Sequence, residues 1–265
     1  MKNYFTKIIL LIVVFFMVAA VCFSLVFTRD TKYSNETVYK IVSYLGECGI
    51  KVDESIIDIK RKYVIDMDME SITVDKTAVS YNILGKEPSV LAETYTSDTG
   101  TVKFQGTQFS FKPTSELGKD IAIKSKLRES GKQVQKLVQG LGFNIDGSNM
   151  IISENDGNTR FDITKKAEGL RVFNNCISVE FNDTGVINVG GRWYYPKSSA
   201  RDRREAKPVA DALILFAQDN VNDKEMEIKS IELGYMLTDT DRELTTLRPV
   251  WRIETNTDGN VYIDA

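Results

Sequence analysis

Asp183-Thr184-Gly185-Val186-Ile187-Asn188-Val189-Gly190-Gly191 reads as a tight turn running into a strand. Glycine supplies positive φ, Asp favours the same turns, and apolar residues then alternate with polar ones. Two further copies of this design stand in the chain. The earlier is Asp98-Thr99-Gly100-Thr101-Val102-Lys103-Phe104-Gln105-Gly106; the later is Thr257-Asp258-Gly259-Asn260-Val261-Tyr262-Ile263-Asp264-Ala265. Strands entering the turns alternate as well, through Ile177, Val179 and Phe181 in the middle copy and Trp251 and Ile253 in the last.

A helix precedes each copy. Val38, Ile41, Val42 and Leu45 stand at i, i+3, i+4, i+7, as do Val134, Leu137, Val138 and Leu141, and Val209, Ala212, Leu213 and Phe216. Each set puts four apolar residues on one helical face, which predicts a helix lying on a sheet. Pro208 opens the third helix, where its missing N–H costs nothing. Gly49-Ile50-Lys51-Val52-Asp53 and Gly142-Phe143-Asn144-Ile145-Asp146 follow the first two helices, and a glycine stop with alternation predicts a strand after each. Strand patterns also occur at Tyr63-Val64-Ile65 and Val79-Ser80-Tyr81-Asn82-Ile83. The fold class is therefore α+β, in tandem units of a helix and antiparallel strands. The units are placed at 37–113, 114–198 and 204–265, with a polar linker at 199–203.

Ile8 to Phe27 is an unbroken run of twenty uncharged residues. At about 1.5 Å per residue it matches a bilayer's hydrocarbon core of about 30 Å. A cleavable signal has a shorter apolar core of about 7–15 residues, followed by a small-x-small site. Val21 stands before Cys22, where a lipoprotein signal wants a small residue. The expectation is an uncleaved transmembrane helix at 8–27, a cytoplasmic tail at 1–7 and a juxtamembrane linker at 28–36. Lys2 and Lys7 precede the run, while Arg29 and Lys32 follow it, offset by Asp30. That bias puts the N-terminus in the cytoplasm and the C-terminal domain outside. Ala20 and Ser24 form a small-xxx-small pair, which lets a second helix approach closely in lipid.

Composition removes several functions. Lys+Arg is 34 against Asp+Glu 37, a net charge of -3, which gives no footprint for duplex nucleic acid. The chain has no His, which excludes His-based triads, His general bases and His-containing zinc sites. Three Cys, one inside the apolar run, exclude a disulfide-stapled mini-fold. No Gly-rich loop joins a strand to a helix, so no nucleotide or other cofactor is called for.

The two Asp-Thr-Gly triplets imitate the way an aspartic protease delivers one carboxylate per lobe. Their context differs: Ser97 and Asn182 precede them where that arrangement has an apolar residue, and the third copy is Thr-Asp-Gly. A repeated hairpin explains all three copies, whereas a dyad of Asp98 and Asp183 explains two. Asp66, Asp68 and Glu70 share one strand face, which suits a solvated surface better than a cation site. Glu254, Asn256, Asp258 and Gly259 imitate a calcium loop, but the closing Glu position is Ala265. Cys48 and Cys176 either pair or stay as two buried thiols. No catalytic, cofactor-binding or metal-ligating residue is assigned. Trp193, Tyr194 and Tyr195, ahead of Pro196, are candidate partner-binding residues, since aromatics are enriched at contact centres, with core packing as the alternative.

The last unit carries a family likeness. Ile231-Glu232-Leu233-Gly234-Tyr235-Met236, Leu247-Arg248-Pro249-Val250-Trp251-Arg252-Ile253 and Gly259-Asn260-Val261-Tyr262-Ile263-Asp264-Ala265 follow the helix at 206–217. This part resembles YycI-type regulatory proteins and, more loosely, PepSY-type repeats. The resemblance covers about the last 90 residues in motif and the rest in architecture. It implies a non-enzymatic regulator of a two-component system, one that complexes with a YycH-like membrane protein and modulates a cell-wall-responsive sensor histidine kinase. Two other functions compete: a PepSY-like binding module (a protease inhibitor or an envelope assembly factor), and an aspartic hydrolase using Asp98 and Asp183.

Overall fold

The computed structural model describes residues 35–114, 127–155, 157–182, 185–197, 203–220, 226–257 and 259–265. The predicted membrane helix at 8–27, with Ala20 and Ser24, lies outside the described residues. Among the described residues no helix is long and apolar enough to cross a membrane.

Helices α1 (35–47), α2 (Lys76–Leu84), α3 (Leu127–Gly140) and α4 (Val209–Asp219) are set among sixteen described strands. These are β1 (Lys51–Val52), β2 (Tyr63–Ile65), β3 (Asp68–Ser71), β4 (Ser89–Leu91), β5 (Thr94–Ser97), β6 (Gly100–Gln105), β7 (Gln108–Pro113) and β8 (Asn149–Asn155). They continue as β9 (Asn158–Ala167), β10 (Leu170–Asn182), β11 (Gly185–Gly191), β12 (Tyr194–Pro196), β13 (Arg203–Glu205), β14 (Glu227–Leu237), β15 (Leu244–Thr255) and β16 (Asn260–Asp264). The α+β class holds. Among the described residues, however, two pairings are parallel: Lys51↔Glu227 between β1 and β14, and Val172↔Tyr235 between β10 and β14. They join segments far apart in sequence, which a pattern of local hairpins does not reveal.

The described residues form two compact bodies. The first draws on the described residues of 35–61, 207–231 and 253–263. Its interior takes Ile41 and Leu45 of α1 and Val209, Ala212, Leu213 and Phe216 of α4. Pro208 is the N-cap of α4, one position ahead of the first helical turn. The Gly49–Asp53 stretch contributes only the two-residue β1.

The second body draws on Lys62–Ala206, Glu232–Arg252 and Asp264–Ala265. Its sheet runs β12-β3-β15-β14-β10-β11-β7-β6-β5-β4, using its own parts of β14 and β15. Alternation along the strands sends Phe109, Phe111, Phe161, Ile163, Val179 and Phe181 into one core. Val134 and Val138 of α3 and Ile83 and Leu84 of α2 fill the same core. Each such side chain contributes about 1.5–3 kcal/mol by leaving water. The β9 and β10 partners of this core face outward as Arg160, Asp162, Ser178 and Glu180, which are joined by hydrogen bonds.

The strands flanking the first two repeated turns pair antiparallel. In the first copy Ser97 pairs with Gly100, and in the second Asn182 pairs with Gly185, the same register in both. Asp98-Thr99 is thus a two-residue loop, and Gly100 adopts φ +156° where a Cβ would meet the Lys112 carbonyl oxygen at 2.5 Å.

Two local expectations fail. Val79-Ser80-Tyr81-Asn82-Ile83 lies in a helix, not a strand. Asp75 caps its N-terminus by accepting from the Ala78 N–H, and Gly85 ends it in the left-handed region. Ser80, Ile83 and Leu84 are its buried face, a helical spacing that the simple alternation concealed. Phe143-Asn144-Ile145-Asp146 is a loop rather than a strand, because the Asn144 side chain accepts from the Asp146 N–H and turns the backbone. Phe143 and Ile145 are buried nonetheless.

Gly191 sets the direction of the chain after β11. Its φ is +145°, and a Cβ there would lie 2.1 Å from the Cys176 carbonyl oxygen. Gly191→Ala is expected to destabilise the protein by about 3 kcal/mol, measured by chemical denaturation followed through tryptophan fluorescence.

Candidate functional site

The aromatic strand that follows Gly191 divides its side chains between core and surface. Trp193 and Tyr194 are fully buried, whereas Tyr195 is half-buried. Two bonds between Asn175 and Tyr194 fix the strand: the Asn175 amide donates to the Tyr194 carbonyl (3.0 Å), and the Tyr194 N–H donates to the Asn175 carboxamide oxygen (2.9 Å). The Tyr194 hydroxyl donates to the Arg242 carbonyl at 2.8 Å. Tyr195 pairs with Glu70 of β3 and reaches the surface beside Phe143, where its hydroxyl accepts from the Asn144 N–H at 3.0 Å.

Lys165 supports Tyr195 from behind. Its ammonium stands 5.6 Å from the Trp193 ring centre and 5.5 Å from that of Tyr195, and donates to the Asn144 carbonyl. Burial holds its pKa below the usual lysine range. The two rings meet edge to face with centres 6.5 Å apart. Phe143 is fixed by stacking on Phe109 at 5.1 Å.

Tyr195 and Phe143 line a cavity of about 380 Å³ together with Ile72, Val74, Val79 and Leu141. Helix α2 forms one wall, and the α3 C-terminus forms the other. The two approach closely at Gly142, where a Cβ would come within 3.2 Å of the Asn82 Cβ. A second cavity of about 570 Å³ adjoins α2 and shares Asp75 and Asn82 with the first. The result is a largely apolar groove with polar edges, which suits a side chain of another molecule better than bond-breaking chemistry.

The other sequence-picked residues separate. Asp98 is exposed, and the Lys86 ammonium that bonds it holds its carboxyl below the usual carboxylate range. A shared-proton dyad needs a carboxyl raised above that range; Asp183 lies outside the described residues. Asp66 faces Arg204 at 3.7 Å and Glu70 faces Lys197 at 2.8 Å, so the acidic strand face is met by cations of the same body. Among the described residues no three acidic or thiol groups converge on a metal position. Cys48 and Cys176 are free thiols. Helix α2 was missed at the sequence level, although Asp75 and Gly85 mark its two ends.

The chain matches the YycI protein family over residues 29–265. It belongs to that family. No curated protein matches the sequence. YycH from Bacillus subtilis superposes with a TM-score of 0.52 at 15% identity, over 75% of this chain and 52% of that one. An uncharacterized protein from Eubacterium rectale ATCC 33656 gives 0.51 at 12% identity, over 82% of this chain and 86% of that one. Both likenesses are of fold, and the YycI-family chain spans about half the length of YycH. The Bacillus megaterium YpeB C-terminal domain gives 0.36 at 13% identity, over 74% and 93%.

Burial, with the Asp162 carboxylate 4.0 Å away, pushes the Cys176 thiol up to about 11 from 9.0. The native state therefore holds that proton across the interval, and its contribution to stability falls as pH rises from 9 to 11. At pH 8 the native thiol is expected to alkylate about a hundredfold more slowly than in the unfolded chain. Pulsed iodoacetamide labelling with peptide mass spectrometry measures this.

Proposed function

We propose that this YycI-family chain is a non-enzymatic, membrane-anchored regulator of a cell-wall-responsive two-component system. The observation that carries the proposal is the family match over residues 29–265. A fold shared with YycH agrees with it. The order along the chain is a cytoplasmic tail at 1–7, an anchor at 8–27, a linker at 28–36 and helix-plus-sheet units at 37–113, 114–198 and 204–265 outside the cytoplasm. The twenty-residue uncharged run supports the anchor.

Its partners are a YycH-like membrane protein and a sensor histidine kinase, with the bilayer as host. Binding alters a kinase only if the contacts differ between the kinase's two states. Ala20 and Ser24 provide the close-packing face within lipid. Outside, the aromatic strand supplies the contact through Tyr195, while Trp193 and Tyr194 hold Tyr195 in place from the core.

Affinity purification of the intact chain from solubilised membranes is expected to recover the YycH-like protein and the kinase. Ala20→Leu with Ser24→Leu should cut that recovery about tenfold, a loss of about 1.4 kcal/mol. Recovery of a secreted protease in their place supports the PepSY-like alternative and contradicts the proposal.

A further inference from the structure

We propose that the groove along α2 binds an extended partner segment in which an apolar side chain neighbours a lysine or arginine. The proposal names the chemistry of the outer contact and rests on reading the chain as a binding protein. Three carboxylates line the two adjoining cavities, those of Glu70, Asp75 and Glu87, and no Lys or Arg lines either. Nearby cations are directed elsewhere: Lys165, beside the Tyr195 ring, donates to the Asn144 carbonyl. Lys76 pairs with Glu93 at 2.6 Å, and Lys86 pairs with Asp98. Lys197 neutralises Glu70. Among the described residues, Asp75 and Glu87 are left with no cationic partner, although Asp75 also accepts the capping bond from the Ala78 N–H.

Apolar surface stands beside these charges. Val74 is 52% exposed and lines the first cavity; Tyr81 is 51% exposed and lines the second. Asp75, Ala78 and Asn82 follow one another at i, i+3, i+7, so a single helical stripe links the two cavities. An apolar side chain entering beside Phe143 and Tyr195 removes area from water. A cation on the same segment then meets uncompensated carboxylates at the rim, where charge complementarity gives specificity. The same sign repels anionic lipid and nucleic acid, leaving a basic-apolar polypeptide as the occupant.

The test uses the full chain in phosphatidylcholine nanodiscs. The probe is a fluorescein-labelled nonapeptide of alternating leucine and lysine, compared with a twin carrying glutamate for lysine. Anisotropy should show binding of the lysine peptide beyond empty nanodiscs, with the glutamate twin at least about tenfold weaker. Asp75→Asn keeps the helix cap; combined with Glu87→Gln it should weaken the lysine peptide about tenfold. Val74→Lys, an exposed change, should do the same. Equal affinity for the twin, unchanged affinity in these variants, or no binding of the lysine peptide overturns the proposal. Recovery of the YycH-like protein from membranes remains a separate readout, so either idea can fail without the other.

Discussion

Gly191 is the constraint from which the rest of the second body's working surface follows. Only a residue without Cβ fits its backbone against the Cys176 carbonyl. Beyond it the Arg192 N–H donates to that same carbonyl at 3.0 Å, closing the turn. Trp193 then enters the core, Tyr194 is clasped by Asn175, and Tyr195 emerges at the groove. Removing an Asn175 bond would strand a buried amide group, a cost of about 1–3 kcal/mol. Packing and polar satisfaction therefore set the position of the one aromatic of this Trp-Tyr-Tyr run that reaches solvent.

The groove is formed by parts distant in sequence. Helix α2 contributes Val79 and Asn82, the α3 terminus contributes Leu141 to Phe143, and β12 contributes Tyr195. Each is held by something buried: Ile83 and Leu84 below α2, Phe109 below Phe143, and Trp193 below Tyr195. Such a surface is pre-formed, which lowers the ordering cost of binding. Its use as a contact site agrees with a family whose proposed role is regulation by association.

Much of the fold was legible in the sequence. The apolar faces predicted for α1, α3 and α4 fall on helices, with Leu141 one residue past the end of α3, and the strands flanking the two Asp-Thr-Gly turns pair in one register. Those signals are local, so they survive without tertiary context. Helix α2 was hidden because Val79, Tyr81 and Ile83 alternate in apolarity, while its burial follows Ser80, Ile83 and Leu84. A buried serine carries no hydrophobic signal. The β1–β14 and β10–β14 pairings were hidden for a different reason, since parallel register depends on contacts between remote segments. Of the candidate contact residues, the sequence singled out all three aromatics but not which one faces outward. Val74, Asp75 and Glu87 escaped notice because a groove is a property of assembled surfaces.

The most direct measurement is amide hydrogen exchange of the full chain in nanodiscs, alone and with the purified YycH-like protein and sensor kinase. The account predicts slowed exchange across 71–84 and at Asn144 on assembly, with the β8–β9 hairpin unchanged. Unaltered exchange through α2 and the Phe143–Asn144 loop in an otherwise intact complex would contradict it.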